Sequence, residues 1–184
     1  MTRLKKASLR AGITEKDFQR LHRKIVDAVL VGSASTGAYT TALRLIDAIP
    51  EKQRRSGRVG LLRVALLSGT GRRKALDKEL RDLDHRFPNQ ARIALEFVEF
   101  YTNVSDERSA LKWLRIAELR ITKQTHRELQ EAAICFRAAL LARRKRIRAA
   151  QRLLVTALQR NPHSWMLASA LNDVCSDEPY LPTI

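Results

Sequence analysis

The chain has 184 residues, of which 45% are hydrophobic but only 5% aromatic, and 35 Lys and Arg stand against 19 Asp and Glu for a formal charge of +16. That length suits one domain with a real core, and a composition rich in Leu, Ala, Arg and Lys with seven Gly and five Pro favours helices over a sheet. No run approaches the roughly 20 apolar residues of a membrane span. Cys135 and Cys175 form neither a disulfide framework nor a zinc-ligand pattern, so the expectation is an all-α cytoplasmic protein.

Residues 1–13, MTRLKKASLRAGI, read as a basic N-terminal arm that lacks the apolar stretch of a secretory signal. From 14 to 175 the apolar residues recur at helical spacing and define one helical-repeat domain. Helices are predicted near 14–31 and 38–49, the second stopped by Pro50, then near 57–68, 72–86, 89–103, 107–121, 126–143 and 146–160. Pro88 and Pro162 stand where a helix must stop, because proline cannot continue a helix interior, and ITKQTH from Ile121 supplies the remaining break. Residues 163–175 are predicted to cap the array, and 176–184, acidic at the start and containing two prolines, form a C-terminal tail.

Four stretches line up: GAYTTALRLI from Gly37, GRRKALDKEL from Gly71, DERSALKWL from Asp106 and RIRAAQRLL from Arg146. Each sets a glycine or polar turn before a small residue, Ala42, Ala75, Ala110 and Ala149 or Ala150, that opens an amphipathic run. The small residues are 33, 35 and about 39 positions apart, a period that signals a repeat architecture. The upstream halves are periodic too, with Ile93, Phe97, Phe100 and Tyr101 on one face and Ile134, Ala138 and Leu141 on another. Units of helix, turn, helix and break bury their apolar faces mainly by stacking. About four antiparallel helix pairs plus a C-terminal capping helix are therefore expected.

This arrangement resembles the tetratricopeptide repeat. Gly37, Tyr39, Ala42 and Leu43 match the family's turn, G-x-Y-x-x-A-L; Gly71, Ala75 and Leu76 match it with a shifted glycine. Ala150, Leu154, Ala157 and Pro162 follow its second helix and closing proline, while Ala94, Val98 and Tyr101, and Ile134, Ala138 and Leu141, fall at the signature positions of its first helix. The resemblance covers roughly residues 20–165 and implies a right-handed α-solenoid whose first helices line a concave peptide-binding groove. On that alignment Lys24, Arg92, Leu95, Glu99, Cys135, Ala139 and Arg143 face the groove. The family's clamp for a terminal carboxylate is not reproduced, and the strip of Cys135, Ala139 and Ala142 suits a helix or an extended apolar segment instead. Pentatricopeptide repeats, which read single-stranded RNA, have a similar period, but these repeats lack a consistent polar residue at equivalent sites.

Catalytic chemistry needs convergent groups, and none declares itself: His22, His85, His126 and His163 are isolated from one another and from both cysteines. SGTGRRKAL from Ser68 lacks the P-loop spacing and has no Ser or Thr after Lys74. The expectation is a non-enzymatic protein without cofactor or metal. The charge is what the fold leaves unexplained. Arg72, Arg73 and Lys74 crowd one turn; Arg143, Arg144, Lys145, Arg146 and Arg148 crowd another, and no acid occurs between 143 and 160. Like charges one helical turn apart destabilise a helix, so such runs point to an anionic partner. If the stack is regular, both clusters lie along one edge. An acidic or amphipathic protein segment would make the chain an adaptor or chaperone; the alternative is a nucleic-acid-associated scaffold that neutralises phosphates. Trp113 and Trp165 occupy apolar positions and are predicted in the core, which removes the exposed stacking platforms of single-strand readers and favours the protein partner.

Overall fold

A computed structural model of the chain describes residues 12–176. The basic arm up to residue 11 and the tail from 177 therefore lie outside the described residues. What is described is helical, with ten helices in order: α1 Glu15–Val31, α2 Thr36–Asp47, α3 Glu51–Arg54, α4 Gly57–Gly69, α5 Arg73–Arg86, α6 Ala91–Asn103, α7 Glu107–Arg120, α8 Arg127–Arg143, α9 Ile147–Arg160 and α10 Trp165–Ser176. Nine fall within a few residues of the predicted helices. The tenth, α3, is a single turn begun by Pro50, a position where proline's missing N–H costs nothing.

The helix starts follow local chemistry. Thr14, Ser35, Ser56 and Asp106 each accept a backbone N–H from the first turn of the helix they precede, satisfying donors that a helix leaves without intrahelical partners. Helices α5 and α9 start differently, with Arg72 and Arg146 at the cap position and no side-chain cap bond.

The chain divides into two compact units, one running to Ile93 and the other beginning at Ala94. In the first unit α1 packs on α2, α2 on α4 and α4 on α5, around Leu21, Ile25, Ala42, Ile46, Val64, Leu67, Leu80 and Leu83. Two glycines let these helices approach closely: a Cβ on Gly60 would lie 2.3 Å from Leu83 Cδ2, and one on Gly69 would lie 2.7 Å from the Tyr39 ring. In the second unit one cluster joins Ala94, Leu95, Val98, Ala110, Leu114, Ala117, Ala133 and Leu140, with Trp113 stacked on Phe97 at 3.8 Å between ring centroids. Another joins Ala138, Ala150, Leu154 and Ala157 to Leu167 and Val174 of α10.

Burial recurs in α2, α5, α7 and α9, in a register that differs from the predicted one at Ala75. The buried opening residues are Ala42, Leu76, Ala110 and Ala150, followed four positions on by Ile46, Leu80, Leu114 and Leu154, all buried. Ala75, expected at this place, is exposed. The turn explains the offset. Gly71, Ser105 and Lys145 all take left-handed backbone, at φ 68°, 60° and 60°, and each stands five residues before its buried partner. Alignment on the alanine misses a register that the turn sets.

Candidate functional site

The helix α7 begins with Asp106, whose carboxylate accepts the Ser109 N–H at 3.0 Å; hydrogen bonds from Ser109 hold this carboxyl below its usual range. Glu107 follows and pairs with Arg144 at the end of α8. Farther along α7, Arg108, Lys112 and Arg115 recur at four- and three-residue spacing, which places them on one face. From α8, Arg137 is held in two hydrogen bonds by Glu118, one of them at 2.8 Å. The turn into α9 then adds Lys145 and Arg146.

These elements enclose a cleft of about 290 Å³ lined by Leu111, Leu114, Leu140, Leu141, Arg115, Arg137, Arg144 and Arg146. Leucines form its floor and guanidinium groups its rim. It adjoins a broader depression along α7 that takes in Arg108 and Lys112. Lys112, Arg115 and Arg146 stand in no ion pair among the described residues. With no acid in the first turn of α9, cations there sit at the positive end of a helix dipole, an arrangement that costs energy until an anion arrives.

The anion-binding residues expected from sequence thus divide. Arg143 donates to the Thr102 carbonyl at 2.9 Å, tying α8 to the end of α6, and Arg144 is engaged by Glu107. Lys145, Arg146 and Arg148 are exposed. Arg72, Arg73 and Lys74 are exposed too, at the start of α5 in the first unit. The two clusters belong to different units. The first unit's larger ionic group lies elsewhere and is balanced: Arg63 contacts Asp47 and, at 3.2 Å, Glu79, while Arg86 reaches Asp82 at 2.6 Å and the Arg55 carbonyl at 2.7 Å. Burial raises the Glu79 carboxyl above its ordinary value, only partly offset by Arg63 and Arg86.

The expected groove residues differ in exposure within their own units. Lys24 and Arg92, in the first unit, and Glu99, in the second, are exposed. Leu95 is 4% exposed and packed in the core with Leu114, Ala133 and Leu140, on a helix that also buries Ala91, Ile93, Ala94, Phe97 and Val98. Cys135 and Ala139 face α10: with Met166, Ala170 and Val174 they line an apolar cleft of about 320 Å³, and the Cys135 thiol donates to the Met166 carbonyl at 3.8 Å. Burial, with the charge of Glu131, pushes that thiol up to about 11. The capping helix therefore forms one side of an apolar cleft whose other side is the strip, and Cys135 and Ala139 stay half-buried.

Trp165, expected in the core, is 77% exposed. It is the first residue of α10, and Leu167, two positions on, takes the buried place while Ser164 turns inward to Glu131. Arg108, Lys112, Arg115 and Arg137 were not singled out by the sequence. Their signal is a helical recurrence of cations rather than a run. Among the described residues no helix is long and apolar enough to cross a membrane, and no group of three His, Cys, Asp or Glu could hold a metal ion. The chain matches no protein-family model, no curated protein and no solved structure.

Proposed function

We propose that the protein is a non-enzymatic adaptor or chaperone that holds an acidic protein segment on the basic surface of its second unit. The observation that carries this reading is the convergence of Arg108, Lys112, Arg115 and Arg146 beside a leucine-lined cleft, where the acids present, Glu107 and Glu118, are already paired. A surface of one sign speeds encounter with a partner of the other and rejects like-charged ones. The tetratricopeptide-like right-handed solenoid of antiparallel helix pairs, cytoplasmic in setting, is the architecture proposed to present it, supported by the repeated left-handed turn and the repeated buried positions. The apolar lining favours protein over phosphate, since a nucleic-acid backbone has nothing to place against leucine.

Fluorescence anisotropy with a labelled acidic peptide, a mixed-sequence RNA and a duplex DNA, each across a salt series, tests the reading. The peptide is expected to bind, and R115Q combined with R146Q to weaken it roughly tenfold, as for charge pairs at partly desolvated surfaces. Binding of RNA or DNA with a steep logarithmic salt slope, and none of the peptide, would replace the adaptor with a nucleic-acid scaffold.

A further inference from the structure

We infer that the cleft between α7 and the α8–α9 turn is a specificity pocket for one bulky apolar side chain, flanked in its partner by carboxylates on both sides. This rests on the reading of the basic surface as a protein-binding one and gives that partner a pattern: acidic, apolar, acidic.

The cleft's size and chemistry carry the inference. At about 290 Å³ it lies near the lower end of pockets that enclose a ligand, roughly 300 Å³, so it has room for a side chain and not for a helix. Its floor is fixed. Leu114 and Leu140 are each 2% exposed and belong to the core of the unit, while Leu111 and Leu141 are half-buried and offer their remaining apolar surface to the opening. Its rim is sorted by function. Arg137 and Arg144 are held in place by Glu118 and Glu107 and serve as walls; Arg115 and Arg146, without ionic partners among the described residues, are the ones left to meet carboxylates. Arg suits that task, because its guanidinium binds a carboxylate through two parallel N–H groups. A purely acidic segment would leave the leucines unused. A purely apolar one would bury unpaired guanidinium groups at a penalty.

The test compares two labelled peptides, Glu-Glu-Leu-Glu-Glu and Glu-Glu-Ala-Glu-Glu, against the full chain by anisotropy at fixed salt, then against R115Q/R146Q and L111N, whose helicity and thermal midpoint are checked by circular dichroism. The leucine peptide is expected to bind roughly tenfold more tightly, the effect of placing its extra methyl groups in a half-enclosed apolar site. L111N should abolish that preference while leaving the alanine peptide unchanged, and R115Q/R146Q should weaken both peptides alike. Equal binding of the two peptides, both lost on R115Q/R146Q, would overturn the pocket and leave the adaptor reading standing. A leucine preference that survives L111N would also overturn it. Binding of neither peptide would overturn both.

Discussion

Ser164 Oγ donates to the Glu131 carboxylate at 2.7 Å and accepts the Leu167 N–H at 3.3 Å, so a single hydroxyl fastens α8 to the first turn of α10. Glu131 is 9% exposed and is further satisfied by the Asn161 amide and by Arg127 Nε at 3.0 Å. Ser164→Ala removes both a bond to a charged acceptor and a helix cap, and should cost about 2 kcal/mol in urea unfolding. Glu131→Gln, which keeps most of the bonds, should cost less than Glu131→Ala, which strands Ser164 and Asn161 together.

Glu79 makes stability depend on pH in a direction opposite to most paired carboxylates. Its folded value is raised by burial, so the native state holds its proton more tightly than the unfolded chain does. The stabilisation from that proton is full below the ordinary value of 4.5 and is lost as pH rises through the raised one. Glu79→Gln should therefore flatten the stability profile in that window and be at least as stable as the parent at pH 7. Denaturation curves between pH 4 and 7 measure this. A parent whose Glu79-dependent stability rises across the window would contradict it.

The two cysteines should separate cleanly in reactivity. Cys175 is exposed, whereas Cys135 is half-buried with its thiol pushed up to about 11, leaving on the order of one thiolate in a thousand at pH 8. Alkylation by iodoacetamide at pH 8 should label Cys175 at least ~50-fold faster in the folded protein, and both at equal rates in denaturant. Mass spectrometry of quenched time points distinguishes them.

The register of the repeat is testable by paired substitutions. Ala42 is fully buried and Ala75 is exposed, so Ala42→Leu should overpack the first unit and cost roughly 1–3 kcal/mol. Ala75→Leu should change stability by no more than about 0.5 kcal/mol. Thermal unfolding of both variants provides the check.

Helix positions were legible because the apolar period and the stop signals agree: Pro88 and Pro162 fall in the breaks after α5 and α9, and Ser35 and Asp106 cap their helices as such residues should. What a helix faces was less legible. Cys135 and Ala139 look like an open strip in one dimension, whereas α10 stands beside them as the second wall of a cleft, and a wall supplied by a later element leaves no mark in the strip itself. Leu95 and Trp165 show the same limit from opposite sides, one apolar residue drawn wholly into the core and another left in water. The basic turn at 143–148 was visible as a run of letters. Its division into Arg143 and Arg144, which are spent on Thr102 and Glu107, and Arg146, which is not, depends on contacts made across some forty residues of chain.

Lys145 occupies the left-handed turn position that Gly71 fills in the first unit. For a residue with a Cβ that backbone is strained by roughly 1 kcal/mol, and glycine would relieve it. Lys145→Gly should accordingly raise the folding stability of the chain, read as a higher midpoint in urea unfolding, while removing a cation from the turn between α8 and α9. Conformational ease and charge are in competition at that one residue, and the chain has settled the contest in favour of charge.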